Sequence, residues 1–379
     1  MSGVYVHIPF CTRKCNYCSF HSYPGMESSI PPYLDALEKE AEFYETHFRA
    51  LEPDTLYIGG GTPGLLTPEQ IGRLADIINR RFQPVTRFAE STFEANPETL
   101  TDDKIAALKK SGFNRISLGL QSFDDGILKF LGRGHSAKDF IAAYNKLRGA
   151  GFANINADLI SGIPDRPSFL AELEKLIKLQ PEHISFYALS VEDGTPFAER
   201  GVCADDELAR AEYDSARAAL VRAGYGHYEI SNFALPGKEA SHNINYWRRG
   251  EYIGLGCAAA GFLAGERTVN TASVDDYISS FGSGRAVARG SVYPSRPVSP
   301  ASRFHERLEG KAALGERIIL GLRMLKGIEI TEEISSAFSP QIKQLEKADL
   351  LAVKNGLMRL SDEGLYLSNK VFCEFVEPF

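Results

Sequence analysis

The chain has 379 residues, 44% of them hydrophobic and 24% charged, with a formal net charge of −7. That suits a folded chain with one large domain and a smaller one. An acidic balance without a Lys/Arg block excludes a nucleic-acid or anionic-lipid surface, and no apolar run approaches a membrane span or a signal-peptide core. A cytoplasmic protein acting on a small molecule or another protein is expected.

The first predicted element is a strand, Val4–Ile8, and it runs straight into Pro9-Phe10-Cys11-Thr12-Arg13-Lys14-Cys15-Asn16-Tyr17-Cys18-Ser19-Phe20. The spacing is C-x3-C-x2-C. Three thiolates on one loop can hold an iron–sulfur cluster. In a four-iron cubane, three protein ligands leave one iron open to another molecule. The rival reading is a structural zinc site with His7 or His21 as fourth ligand. Cys203, Cys257 and Cys373 follow no pattern, and Cys203 and Cys373 are expected to be buried thiols. Unpaired cysteines suit a reducing compartment.

Strand-like and helix-like stretches then alternate to about residue 235. The strands are Thr55–Ile58, Arg87–Glu94, Arg115–Leu120, Asn154–Ile160 and His183–Leu189, with another near His227–Ile230. Thr67-Pro68-Glu69-Gln70 reads as a capping box opening a helix. Thr101 is expected to cap a helix ending at Gly112, Ser136-Ala137-Lys138-Asp139 to open another, and Asp205 to cap Glu207–Ala223. Repeated strand–helix units predict an α/β fold, a partial (β/α) barrel around a parallel sheet.

In such barrels the working residues sit where strands end. Here those positions carry the cysteine loop, Gly59-Gly60-Gly61-Thr62-Pro63, Glu94-Ala95-Asn96-Pro97, Gln121, Arg133 and Asp158, which should converge on one face. The set suits a zwitterionic, ribose-bearing cofactor. Glycines admit close approach of backbone, and a guanidinium pairs with a carboxylate. Carboxylates accept from an ammonium or from ribose hydroxyls, and Tyr17 or Tyr5 offers a face to a base.

Beyond residue 235 the organisation changes. A Gly/Ser/Pro/Arg-rich linker is expected between about Gly282 and Pro300, dividing the chain into 1–235, an extension at 236–290, and 300–379. The last part should hold a helix over His305–Met324 and another near Pro340–Leu351. A hairpin turn is expected at Asp362-Glu363-Gly364, between Leu357–Leu360 and Leu365–Leu367. This predicts a small C-terminal α+β winged-helix-like domain. Its charges are mixed, with no basic stripe for DNA.

The cysteine run followed by Gly-Gly-Gly-Thr-Pro resembles the radical S-adenosylmethionine (radical SAM) superfamily. Tyr5-Val6-His7-Ile8-Pro9-Phe10-Cys11, Glu94-Ala95-Asn96-Pro97, Gly119-Leu120-Gln121-Ser122-Phe123, Leu131-Gly132-Arg133-Gly134-His135 and Asp158-Leu159-Ile160-Ser161-Gly162-Ile163-Pro164 resemble the oxygen-independent coproporphyrinogen III oxidase family, in order along nearly the whole chain. The resemblance implies a [4Fe–4S] cluster held by Cys11, Cys15 and Cys18. It also implies an S-adenosylmethionine site lined by Gly60, Gly61, Thr62, Glu94, Gln121, Arg133 and Asp158, with Tyr5 and Tyr17 against it.

Within that family, true oxidases carry a fourth cysteine two residues after the third and an N-terminal extension. This chain has Phe20 at that position, and its cysteines come almost at once. It therefore looks like the HemW-type haem chaperone branch, which has an H-N-x-x-Y-W motif; here it reads His242-Asn243-Ile244-Asn245-Tyr246-Trp247. By that resemblance His242 would bind haem. A neutral imidazole is a good axial ligand, Tyr246 and Trp247 could pack on the macrocycle, and Arg248 and Arg249 could meet propionates. The implied partners are haem and a haem-acceptor protein, in a respiratory pathway and so with peripheral contact to a membrane protein. The segment Gly254-Leu255-Gly256-Cys257-Ala258-Ala259-Ala260-Gly261 departs from the family, with alanine where a histidine often stands. Cys257 could then be a second ligand or a small apolar residue. An active coproporphyrinogen III dehydrogenase is the alternative within the family, and a zinc-stabilised binding protein is the alternative outside it.

Overall fold

A computed structural model describes residues 1–48, 51–282 and 297–376. Six strands lie side by side in chain order, all parallel: β1 (Ser2–Ile8), β2 (Thr55–Gly60), β3 (Glu90–Ala95), β4 (Arg115–Gln121), β5 (Ile155–Ser161) and β6 (His183–Ala188). Helices connect them, as parallel pairing requires. The helix-facing residues of the strands, such as Val4, Val6, Leu56, Ile58, Phe93, Ile116, Leu118 and Ile184, are buried against those helices.

The helix boundaries follow the local chemistry. Thr67 and Gln70 form a reciprocal capping box before Pro68–Arg81, whose Ile71, Leu74, Ile77 and Ile78 are buried. Ser136 and Asp139 form a second box, and the Asp205 side chain accepts from the Leu208 amide at 2.9 Å. The helix Asp102–Ser111 stops at Gly112, which takes φ +92°. Thr101 does not cap it: its hydroxyl bonds to the Asp103 carboxylate instead.

The sheet continues past the six strands at both edges. β7 (Gly226–Glu229) and β8 (Asn232–Ala234) are antiparallel, with β8 beside β6. After a short helix, Ser241–Trp247, β9 (Glu251–Leu255) returns to the other side of β1 and pairs with it in parallel. β10 (Ala260–Leu263), β11 (Glu266–Asn270) and β12 (Ser302–Arg307) extend that edge antiparallel, giving one twelve-stranded sheet. Most of the expected Gly282–Pro300 linker lies outside the described residues.

The C-terminal unit packs helices Gly310–Leu322 and Glu332–Lys347 on a three-stranded antiparallel sheet of β13 (Ile328–Glu329), β14 (Leu351–Lys354) and β15 (Leu357–Leu360), with its own core around Phe338, Met358 and Phe375. Three details correct the sequence expectation. The stretch from His305 is not all helix, because 302–307 pairs with β11 and the helix starts only at Gly310. The second helix contains Pro340 rather than starting there. Burial of Ile334, Phe338, Ile342 and Leu345 on one face outweighs the lost Pro340 hydrogen bond. The hairpin turn is Asn355-Gly356, with φ of 52° and 75°, the positive pair a type I′ turn requires; Asp362–Tyr366 is helical. Cys203 and Cys373 are also not buried: both are exposed, and only Cys257 among the unpatterned cysteines is enclosed.

Candidate functional site

One cavity of about 430 Å³ opens at the C-terminal ends of the strands and reaches down the inner face of the sheet. Cys11, Cys15 and Cys18 line it, together with Tyr17, Gly60, Gly61, Thr62, Glu94, Gln121, Arg133 and Asp158. Residues as far apart in the chain as Cys11 and Asn243 thus share one chamber.

The cysteine loop is pinned from both sides. The Asn16 amide donates to the Leu131 carbonyl at 3.0 Å and its side chain to the Phe130 carbonyl at 2.6 Å, while the Phe197 amide donates to the Asn16 carbonyl at 2.9 Å. At the base, the Gly61 amide donates to the Ile8 carbonyl and the Thr62 amide to the Phe10 carbonyl, both at 2.8 Å. This close crossing explains the glycine. A Cβ on Gly61 would stand 2.7 Å from the Phe10 carbonyl oxygen. Thr62 Oγ1 lies 3.3 Å from Cys11 Sγ.

The polar residues are held in place around the chamber. Arg133 donates to Asn96 Oδ1 at 2.7 Å and to the Gly119 carbonyl at 3.1 Å, and its Nη1 is 3.5 Å from Cys15 Sγ. Its buried Nε has no hydrogen-bond partner among the described residues. Glu94 accepts from the Tyr57 hydroxyl at 2.6 Å and from the Gly60 amide at 3.2 Å. Burial, with Asp158 nearby, pushes its carboxyl up to about 7. Asp158, raised by burial, accepts from Asn156 at 2.7 Å. Gln121 has φ +69° at a register shift between β4 and β5, and that bend carries it into the cavity wall.

This chemistry fits the group implied by the motifs. Three unpaired thiols edge a chamber that also offers two carboxylates, a buried guanidinium with an unpartnered N–H and a side-chain-free glycine cradle. A cubane attaches each thiolate to a different iron, so its ligands need not converge on one point. Of the two histidines the zinc alternative named, His7 is engaged, its ring nitrogens contacting the Tyr5 hydroxyl at 2.9 Å and the His21 carbonyl at 2.8 Å, which leaves His21.

Two expected site residues lie elsewhere. Tyr5 does not line the cavity; its hydroxyl is bound to His7 behind it. His242 is fully buried (0% exposed), its Nδ1 2.8 Å from Thr55 Oγ1 and its Nε2 2.7 Å from the Tyr246 hydroxyl. Burial lowers its pKa to about 3, so the ring is neutral, but neither nitrogen is open to iron. Arg249 pairs with Glu316 at 2.5 Å rather than facing a ligand. Cys257 is packed in the core, its thiol pushed up to about 12 by burial, which fits the small apolar role.

The sequence reading missed Tyr57, Arg115, Ser117, Asn156, Ser185, Tyr187 and Asn243, all of which line the cavity. The signal was present as period-two polar residues inside strands: Arg115, Ser117, Gly119 and Gln121 on β4, and Asn156 and Asp158 on β5.

Residues 5–179 match the Radical SAM superfamily and residues 308–367 the HemN C-terminal domain. The chain is 34% identical to the heme chaperone HemW of Bacillus subtilis, over 99% of both chains. The chain belongs to the HemW family of radical SAM proteins. It is also 38% identical to the Escherichia coli heme chaperone HemW, over 68% of this chain and 69% of that one. In fold it is similar to coproporphyrinogen III oxidase (HemN) from Escherichia coli, with a TM-score of 0.83 over 100% of this chain and 90% of that one at 22% identity. Membership of the radical SAM superfamily implies a [4Fe–4S] cluster and S-adenosylmethionine. Among the described residues no helix is long and apolar enough to cross a membrane.

Proposed function

We propose that this protein binds haem and passes it to an acceptor protein, while holding a [4Fe–4S] cluster and S-adenosylmethionine at the cavity. The observation that carries the reading is full-length similarity to proteins named heme chaperone HemW. The loop supports it: the position two residues after Cys18 is Phe20, which is 67% exposed at the cavity edge and offers no thiol.

Cys11, Cys15 and Cys18 would hold the cluster. When bound, it supplies one-electron chemistry to a molecule on its open iron. The residues around it bind and orient. Arg133 would meet the S-adenosylmethionine carboxylate, since a guanidinium pairs well with carboxylate. Glu94 and Asp158 accept from the ammonium and ribose hydroxyls, and Gly60, Gly61, Thr62 and Gln121 offer backbone and polar groups. Tyr17, against Arg133 and the cysteines, shields the site from water. For haem, His21 is the one histidine whose ring has no hydrogen bond among the described residues, and it is exposed beside Phe20.

Incubating the anaerobically reconstituted protein with coproporphyrinogen III, reductant and S-adenosylmethionine tests the reading. A haem carrier leaves the coproporphyrinogen intact. Decarboxylation to protoporphyrinogen IX would replace this function with the dehydrogenase. A colourless protein that binds zinc but no iron would remove both.

A further inference from the structure

The H-N-x-x-Y-W segment packs against the sheet, with His242 and Asn245 buried. Its helix, Ser241–Trp247, begins at Ala240, which has no side-chain cap; Glu90 on β3 substitutes, accepting from the Ser241 amide at 2.6 Å. His242 then lies on the backbone of β1, where a Cβ on Gly3 would stand 2.9 Å from its Cε1. Thr55 of β2 and Tyr246 of the motif fix its two nitrogens, at 2.8 and 2.7 Å. The imidazole stacks on the Tyr57 ring, centroids 5.3 Å apart at 29°. The Tyr57 hydroxyl in turn donates to Glu94 Oε1 at 2.6 Å. The next motif residue, Asn243, lines the cavity.

We propose that His242 is a positioning residue for Glu94, acting through Tyr57, and not a haem ligand. The proposal rests on the reading of Glu94 as part of the S-adenosylmethionine site. The geometry makes the motif a buttress. A ring locked at both nitrogens holds a second ring, whose hydroxyl holds a carboxylate. Tyr57 is half-buried on the cavity wall, and its one hydroxyl holds Glu94 Oε1 while the Gly60 amide holds Oε2. Removing the imidazole frees the Tyr57 ring to tilt, and a tilted ring loses a 2.6 Å bond quickly, because hydrogen bonds weaken steeply off axis.

The test uses cluster-reconstituted full-length protein with His242→Ala, His242→Phe, Tyr246→Phe and Tyr57→Phe. S-adenosylmethionine binding is measured by calorimetry. The Glu94 carboxyl titration is followed by carbon-13 NMR in ligand-free protein, and haem binding by the Soret band. Tyr57→Phe should weaken S-adenosylmethionine about tenfold, the scale of one hydrogen bond to a charged group. His242→Ala should match it, and the double variant should be no weaker than either, because both act on one bond. In both single variants the Glu94 titration should move upward, since losing a donor disfavours the carboxylate. His242→Phe, which keeps a ring on Tyr57, should recover most of the affinity. Haem titration of His242→Ala should overlay the unaltered protein. If His242→Ala proves poorly folded, Tyr246→Phe, which removes one hydroxyl, should still raise the Glu94 titration and weaken binding a few-fold.

Unchanged affinity and an unchanged Glu94 titration in His242→Ala would overturn the proposal. So would selective loss of the Soret change. If the unaltered protein does not bind S-adenosylmethionine, the cofactor reading of the site fails, and the Glu94 titration alone decides the positioning role.

Discussion

At the scale of single residues, Glu94 sets the pH behaviour of the site. Burial, and after it Asp158, pushes its carboxyl up to about 7. A carboxylate must be ionised to accept from an ammonium. S-adenosylmethionine affinity should therefore rise about tenfold between pH 6 and pH 8 and level off above, as the ionised fraction does. Calorimetry across that range checks it, and Glu94→Gln should bind weakly with no pH dependence; a flat profile in the unaltered protein would contradict this role for Glu94. The effect on stability runs the other way. A carboxyl raised in the fold contributes stability below its ordinary range, and that contribution is lost as pH rises through about 7. His242 is opposite in sign: lowered to about 3, it contributes stability above about 6.5 that is lost in acid. Part of this was legible, because Cys11, Gly61 and Glu94 sit at or beside strand ends where barrel chemistry collects, whereas Arg133 stands beyond a helix after β4 and Asp158 lies inside β5. The state of His242 was not. The group that closes its Nδ1 is Thr55, 187 positions away in the chain, and no local pattern announces that meeting.

At the scale of elements, helix starts were readable where the cap is local and hidden where it is borrowed. Thr67, Ser136 and Asp205 each cap the helix they precede. The motif helix instead takes Glu90 from a strand, with the Ser241 amide at 2.6 Å and the His242 amide at 3.4 Å from its oxygens. Glu90→Ala should cost about 1–2 kcal/mol, the scale of a lost cap with buried amides left unpaired. Urea denaturation would show it, whereas an exposed cap elsewhere, Ser273→Ala at the helix Val274–Ser280, should cost less. The C-terminal hairpin shows why turn identity was misjudged. Asp362-Glu363-Gly364 looks like a turn, but its Ser361 hydroxyl accepts from the Gly364 amide at 2.9 Å and opens a helix. Asn355-Gly356 supplies the two positive φ values that close the strands.

At the scale of the whole molecule, the barrel and the C-terminal unit are joined by charge and aromatic contacts. Glu316 accepts from Arg249 and Arg267, each at 2.5 Å, and Arg323 lies 4.2 Å over the Trp247 ring. Arg210 and Arg217 pair with Glu363 and Asp362 at 2.6 and 2.7 Å. The motif thus faces the cavity through Asn243 and the C-terminal unit through Trp247. Arg248 and Arg249, which follow the motif, were expected to meet propionates; in the fold Arg249 serves this joint. Glu316→Ala leaves two partly enclosed guanidinium groups unpaired. It should cost about 2 kcal/mol, less than a fully buried pair, and speed proteolytic cleavage between the units; unchanged stability and cleavage would mean the exposed pairs suffice. The parallel barrel was legible from strand–helix alternation. The return of β9 to the leading edge beside β1 was not, because Glu251–Leu255 follows a helix too short to mark a crossover. We propose that this scaffold carries haem while its cysteine loop holds a cluster. Titrating haem into the anaerobically reconstituted, cluster-loaded protein and following the Soret band tests it most directly. A saturable shift at one haem per chain, retained in His242→Ala and altered in His21→Ala, is the predicted result. A Soret spectrum that stays that of free haem would contradict it.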